Sequence, residues 1–228
     1  MNIALIPAAG TGSRIGGSRA KQFLELGGIP IIIHTLRRFE DCESIHQTVV
    51  VLPAEDVSGF LELATKYKIR KIVRVVAGGS ERQESVSKGL HAITSPKAEI
   101  VVVHDGVRPF VTIAQIIETV EKASEVGAAI VALPVTDTVK EVDDGLIART
   151  LDRKRIYLAQ TPQAFRIDLL REAHRKAAEA NLLATDDAAL VERLGASVAV
   201  VEGTAQNIKI TRKSDLALAE MILKEIEG

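Results

Sequence analysis

The chain has 228 residues, 46% of them hydrophobic and 26% charged, and its 29 Lys plus Arg against 30 Asp plus Glu leave a formal net charge of −1. That balance offers no overall basic field to a nucleic-acid polymer and lacks the acidic, apolar-poor character of a disordered chain. A chain of this size buries roughly 70–75% of its unfolded surface, enough for a full hydrophobic core. With 3% aromatic residues and no Trp, it has little on which single-stranded bases would stack.

Met1 to Ile6 is a short apolar run that reaches Pro7 without a basic leader region, so it is read as a strand and not as a signal peptide. No stretch approaches the ~20 apolar residues that span a bilayer. The lone Cys42 cannot close an internal disulfide, which points to a reducing, cytoplasmic setting. Without repeats, low-complexity tracts or a long linker, residues 1–228 are expected to form a single domain.

Short β-branched runs alternate with longer helical patterns. Ile3 to Ile6, Thr48 to Leu52, Ile72 to Val76, Ile100 to Val103 and Ala128 to Leu133 are the expected strands, and their near-continuous apolar character suits strands covered on both faces. Between them Pro30 to Phe39, Ala54 to Tyr67, Glu81 to Ile93 and Ile113 to Ser124 carry apolar residues at helical spacings. Pro30 suits a first turn and Thr112 a cap. The order predicts an α/β fold with a mostly parallel sheet and crossover helices.

After Pro134 the pattern changes. Thr138 to Val142, then Asp143-Asp144-Gly145, then Leu146 to Leu151 predicts a hairpin. An isolated two-stranded hairpin is marginal in water, so this arm, over about 136–156, is expected to pack on something, a second subunit being a good candidate. Helices near Asp168 to Ala178 and Asp186 to Leu194, strands near Val198 to Val201 and Asn207 to Ile210, and a last helix from Ser214 complete the series.

Ligands of open α/β sheets bind beyond the carboxyl ends of the strands, and four such regions hold unusual residues. The first is Pro7 to Gly16, followed by Lys21. Gly10 and Gly12 let backbone approach a ligand, N–H groups there can cradle phosphate oxygens, and Arg14 and Lys21 add two cations. A dinucleotide fingerprint would need a third glycine one residue before Gly16, and no Gly-Lys-Ser/Thr is present. The alternative reading of Arg14 and Lys21 is a solvated surface pair.

The second region, Ala77 to Val86, holds Gly78-Gly79, against which a base or ribose can lie flat. Ser80 alone reads best as a helix cap, with Gln83 completing a capping box. In the third, His104 to Pro109, an Asp and an Arg beside a buried strand end call for a ligand or for pairing of Asp105 with Arg108. His104 reads as a packed residue, and His34, His46, His91 and His174 lack metal-ligand spacing. The fourth group, Thr136-Asp137-Thr138, Asp152-Arg153, Thr161-Pro162-Gln163 and Asn207 to Thr211, supplies the hydroxyls and cations that a phosphorylated polyol requires. Lys209 alone would pass for a strand-edge charge.

Taken in order, Pro-Ala-Ala-Gly-x-Gly-x-Arg, Lys21-Gln22-Phe23, Gly-Gly-x-x-Arg-x-x-Ser at Gly78 to Ser85, Val103-His104-Asp105 with Arg108-Pro109, Thr161-Pro162-Gln163 and Asn207-Ile208-Lys209 span nearly the whole chain. The set resembles the 2-C-methyl-D-erythritol 4-phosphate cytidylyltransferases of the non-mevalonate isoprenoid route. The resemblance implies a Rossmann-like, nucleotidyltransferase-type sheet with an inserted β-hairpin arm, and transfer of CMP from CTP to methylerythritol phosphate with release of pyrophosphate. It implies transition-state stabilisation by Arg14 and Lys21, with Arg153 and Lys209 placing the substrate phosphate. Nucleotide contacts would come from Ala8, Ala9, Gly10, Thr11, Gly12, Gly79, Ser80, Ser85, Asp105 and Gly106, and substrate contacts from Arg108, Thr138, Arg153, Thr161 and Lys209.

The resemblance also implies Mg²⁺ or another divalent cation riding chiefly on the CTP, with no protein ligand assigned. A homodimer would exchange arms, so that Arg153 and Thr161 serve the neighbouring site. Two departures, Gly106 where such proteins often have Ala and Ser80 where an acidic residue is common, imply retained CTP binding with altered nucleotide discrimination. Ribitol 5-phosphate cytidylyltransferases share the glycine-rich, His-Asp and Thr-Pro-Gln motifs. Thr185-Asp186-Asp187-Ala188 and Leu151-Asp152-Arg153 look more like the methylerythritol enzymes. A non-catalytic nucleotide-binding module is the remaining reading.

Overall fold

The computed structural model describes residues 1–10 and 20–227. Its elements in chain order are β1 (Asn2–Pro7), the short pair β2 (Glu25–Leu26) and β3 (Ile29–Pro30), α1 (Ile31–Glu40), β4 (Gln47–Leu52), α2 (Val57–Lys66), β5 (Ile72–Ala77), α3 (Arg82–Ala92) and β6 (Ile100–Val103). There follow α4 (Ile113–Val126), β7 (Ala128–Pro134), β8 (Lys140–Asp143), β9 (Leu146–Thr150), β10 (Tyr157–Arg166), α5 (Ile167–Glu179), α6 (Asp187–Glu192), β11 (Ala199–Glu202) and α7 (Lys213–Glu227). Among the described residues seven strands form one sheet in the order β11-β7-β10-β6-β1-β4-β5.

Successive side chains of a strand point to opposite faces, so a strand buried on both sides must be apolar throughout. Ala4 and Ile6 of β1, Val50 and Leu52 of β4 and Val102 of β6 pack on one face with Leu36, Phe39, Phe60 and Ile116. Ile3 and Leu5, Val49 and Val51, and Val101 and Val103 face the other way, onto Val86, Leu90, Phe165, Leu170 and Val191. The sheet thus lies between α1, α2 and α4 on one side and α3, α5 and α6 on the other. A third cluster seats Ile222 and Leu223 of α7 against Leu26, Val107 and Phe110. Thr112 caps α4 with a complete capping box to Gln115, and Gly127 closes that helix at φ +108°.

Two expectations are corrected. Tyr157–Arg166 was not expected as a strand, yet β10 lies inside the sheet, antiparallel to both β6 and β7. Its Thr-Pro-Gln core hid it, because Pro cannot donate to a ladder and is uncommon inside central strands. The sheet accommodates Pro162 by shifting the β10–β7 register between Ala159 and Gln163, and the Thr161–Pro162 peptide is cis. Conversely, Asn207 to Ile210 is a loop and not a strand. Asn207 and Ile208 close turns on Thr204 and Gln206, and Ile210 N donates to Val107 O.

The arm is present as β8 and β9, turned by Asp144 (φ +46°) and Gly145 (φ +79°). Two adjacent left-handed residues make the primed turn whose twist matches a hairpin. Val142, Leu146 and Ile147 are exposed on it. Among the described residues, no helix is long and apolar enough to cross a membrane.

Candidate active site

The carboxyl ends of β1, β5 and β6 open together, as the strand order requires. Ala8 N donates to Val51 O, Gly78 N to Leu52 O, and Gly106 N to Pro7 O, so each strand passes its ladder into the loop beyond it. These loops approach too closely for side chains. A Cβ on Gly78 would stand 2.2 Å from Ala9 Cβ, and one on Gly106 would stand 2.7 Å from Ala8 Cβ. Between the loops lies a cavity of about 320 Å³ lined by Ala8, Ala9, Gly10, Lys21, Gly79, Ser80, Arg82, Ser85, Asp105 and Lys209 among others. Lys21 turns toward Gly10, its Nζ 3.7 Å from where a Cβ on that residue would lie.

A second cavity, of about 220 Å³, adjoins the first and shares Arg82, Asp105 and Lys209 with it. Its other walls include Arg108, Gln160, Thr161, Thr185 and Asp186. Asp105, 5% exposed, therefore stands between two chambers. Its Oδ1 accepts from Arg82 Nε at 3.1 Å, while Oδ2 takes Arg108 Nε at 3.2 Å and Lys209 Nζ at 2.9 Å. Burial alone would raise the Asp105 pKa, but Arg82, Lys209 and Arg108 together hold the carboxyl well below the ordinary carboxylate range.

Arg82 also reaches Asp187, whose Oδ2 accepts from Arg82 Nη1 at 2.7 Å and whose Oδ1 meets His174 Nε2 at 3.1 Å. Burial penalises the Arg82 charge, yet Asp187 and Asp105 more than offset this and hold its pKa above the usual value. Neither Arg82 nor Asp187 was singled out from the sequence, although both stand inside motifs quoted there. The buried amides of Asn207 and Gln160 were missed likewise. Asn207 Nδ2 donates to Gln160 Oε1 and Thr161 O, and Arg108 Nη1 donates to Asn207 O at 2.7 Å.

His104 is fully buried and packed on Phe39. Arg108 O lies 3.0 Å from its Nε2, so this nitrogen carries the proton and donates, and Nδ1 accepts from the Thr161 hydroxyl at 3.0 Å. The same hydroxyl oxygen accepts from Asp105 N at 3.2 Å. Burial pushes the His104 pKa down to about 4 from an ordinary 6.5. The unfolded state therefore binds more protons between those values, and stability falls as the pH drops from about 6.5 towards 4, by on the order of 3 kcal/mol for this residue. Urea unfolding at pH 7.0 and 4.5 checks this. The wild-type loss is expected to exceed that of His104→Gln, and equal losses would contradict it.

The sequence-derived residues divide as follows. Ala8, Ala9, Gly10, Lys21, Gly79, Ser80, Ser85, Asp105 and Lys209 meet at the first cavity, and Arg108 and Thr161 at the second. Thr11, Gly12 and Arg14 lie outside the described residues. Ser80 is not a helix cap. Glu81 occupies the N-cap position, and Glu84 Oε2 accepts from both Ser80 N (2.8 Å) and Ser80 Oγ (3.1 Å). Gln83 completes no capping box either, its amide meeting Leu182 O and Ala184 N. Ser85 Oγ ties the loop together by accepting from Gly79 N and donating to Glu81 O.

Gly106 spends its N–H on Pro7 O and is not a free donor. Lys209 is no strand-edge charge but an ion-pair partner of Asp105. Thr161, expected to serve a neighbour's site, is buried against its own chain's His104 and Asp105. Thr138 and Arg153 stand exposed at the root of the arm and line neither cavity, Arg153 donating to Thr136 O.

A mostly parallel α/β sheet whose carboxyl edge carries a glycine-lined, lysine- and arginine-rich cavity defines a nucleotidyltransferase-type protein. A family model for 2-C-methyl-D-erythritol 4-phosphate cytidylyltransferase matches residues 2–225, and the chain belongs to that family. It is 49% identical to the protein of that name from Syntrophus aciditrophicus, over 99% of this chain and 97% of the relative. It is 47% identical to the one from Bacillus licheniformis, over 96% and 94%. The crystal structure of 4-diphosphocytidyl-2C-methyl-D-erythritol synthase from Anaerococcus prevotii superposes with a TM-score of 0.88 at 33% identity, covering 98% of this chain and 96% of that one. The 2-C-methyl-D-erythritol 4-phosphate cytidylyltransferase of Thermus thermophilus gives a TM-score of 0.79 at 38% identity, with 97% and 98% covered.

Proposed function

We propose that this chain transfers CMP from CTP to 2-C-methyl-D-erythritol 4-phosphate, giving 4-diphosphocytidyl-2-C-methyl-D-erythritol and pyrophosphate, in the cytoplasm. The observation that carries the reading is the pair of adjoining cavities meeting at Asp105, Arg82 and Lys209. One is edged by the glycine loops and Lys21, the other by hydroxyls, amides and Arg108. A nucleoside triphosphate suits the first and a small phosphorylated polyol the second, with their phosphates converging on Lys209.

The polyol phosphate is already ionised, so its oxygen attacks the α-phosphorus without a general base. A new P–O bond forms as the bond to the β-phosphate oxygen breaks, and pyrophosphate leaves with the electron pair. Catalysis then consists of alignment and of cations placed where negative charge grows. Lys21 and Arg14 take that charge in this reading, while Lys209 and Arg153 hold the attacking phosphate. The donor set of the first cavity is mainly backbone, hydroxyl and cationic, and Asp105 is occupied by three cations. A divalent ion fits there as a passenger on the triphosphate, where it would neutralise charge on the leaving group.

Pyrophosphate release from CTP, assayed separately with methylerythritol phosphate and with ribitol 5-phosphate, tests the reading. Turnover is expected with the first only, and turnover confined to ribitol 5-phosphate would overturn it. We further propose that residues 1–228 act as one domain in a homodimer joined by the arm. Val142, Leu146 and Ile147, each more than half exposed, would contribute roughly 1.5–3 kcal/mol apiece on full burial. Arg153 then reaches the partner's cavity. An Arg153→Ala chain mixed with a Lys21→Ala chain is expected to regain activity, because the mixed dimer rebuilds one intact site. Absence of rescue despite demonstrated subunit exchange would refute the shared site.

A further inference from the structure

Arg82 is held in an unusual way. Its Nε is committed to Asp105 and its Nη1 to Asp187, while Nη2 is buried with no hydrogen-bond partner among the described residues. A guanidinium free to turn would satisfy that third nitrogen, since a buried donor left unpaired is costly. Two carboxylates on opposite sides therefore fix its orientation. Asp187 is the deeper of them, 1% exposed at the first turn of α6, and is itself oriented by His174 of α5. The five charges of Arg82, Arg108, Lys209, Asp105 and Asp187 form one connected cluster, and Asp187 is the member that touches neither cavity.

We propose that Asp187 is a positioning residue for the reaction. By drawing one edge of Arg82 away, it leaves Oδ2 of Asp105 to Arg108 and Lys209, and so keeps Lys209 where the substrate phosphate is taken. Without the Asp187 charge, Nη1 of Arg82 keeps at most a neutral acceptor and turns to Asp105. Three cations then compete for one carboxylate, and Lys209, the most exposed of them at 37%, is displaced. The functional half of this inference rests on the cytidylyl-transfer reading above, and its geometric half does not.

Asp187→Asn is expected to lower kcat/KM for pyrophosphate release by roughly 10- to 100-fold, with KM for methylerythritol phosphate raised more than that for CTP. A merely structural residue would lower Tm and leave both KM values in place. The double variant Arg82→Lys/Asp187→Asn is expected to be no worse than Arg82→Lys alone, because Asp187 acts only through Arg82. Multiplying effects, or a folded Asp187→Asn chain with wild-type kcat/KM, would overturn the proposal. If the Asn variant does not fold, Asp187→Glu, which keeps the buried charge, is expected to lose less than about 10-fold in kcat/KM and to retain the Lys209–Asp105 contact, and a loss as large as that of Arg82→Lys would overturn the proposal. A crystal structure of Asp187→Asn reads the geometry without turnover. The Lys209–Asp105 contact, 2.9 Å here, is expected to open beyond hydrogen-bond reach, and its retention would refute the mechanism. A wild-type chain inactive with both polyol phosphates would refute the cytidylyl-transfer reading alone.

Discussion

Lys21→Ala lowers kcat for pyrophosphate release by about 10²- to 10³-fold, while CTP affinity falls far less. The expectation follows from where the ammonium stands. Lys21 opens a short turn directly after the glycine loop, and its Nζ faces Gly10 on the wall of the first cavity. On the proposed reading, a ground-state triphosphate there would also be held by backbone N–H groups and by other cations, so losing one lysine would cost modest binding. Charge that appears on the α-phosphoryl oxygens only during transfer would have fewer donors, and a cation placed where that charge grows acts mainly on that state. Single-turnover pyrophosphate release and calorimetric CTP titration separate the two quantities. A kcat within a few fold of wild type would remove Lys21 from the chemistry.

Asp105→Asn has a second large effect, on stability as well as on rate. Among the described residues the carboxylate is the one anion shared by Arg82, Arg108 and Lys209. Removing its charge while keeping its shape leaves three neighbouring cations facing one another, and breaking a buried pair from one side costs about 3–5 kcal/mol. Because the native carboxyl is held below its unfolded pKa, its contribution is present at neutral pH and is lost progressively as the pH falls from the unfolded carboxyl's range towards the native value. Urea unfolding at pH 7 is therefore expected to show the full deficit. Lys209→Met is expected to restore part of it when added to Asp105→Asn, since it removes one of the stranded cations. Activity in Asp105→Asn falls by about 10² or more, because Lys209 and Arg108 lose the group that aligns them. A variant as stable as wild type would mean that the cations relax into solvent at little cost.

The paired faces of the sheet were legible because they impose a rule on every strand residue. Ile100 to Val103 can be apolar without a break only if both sides are covered. The cap of α4 and the primed turn of the arm were legible for the same reason, each being a local geometry with few permitted residues. β10 was not, since its place between β6 and β7 depends on partners far away in sequence and its centre carries a proline. The site followed the same division. Glycine loops and the His-Asp-x-x-Arg segment announce themselves locally, whereas the Arg82–Asp187 link joins residues 105 positions apart. Ser80 misled because a capping box and a carboxylate reaching back from Glu84 draw on similar spacings.

The late arrival of β10 bears on how the protein is made. β6 and β7 have no direct pairing with each other, and β10 is the strand that joins them. During synthesis the chain completes β7 at Pro134, then the arm, and reaches the end of β10 only at Arg166. Until then the emerging polypeptide holds the β5-β4-β1-β6 block and a lone β7, whose other neighbour β11 comes later still, and the Ile-Val-Val-Val edge of β6 has its outward N–H and C=O groups unpaired. Such an edge templates association with other chains. The interval between residues 134 and 166 is thus a stretch of translation in which an apolar sheet edge stays open to other chains.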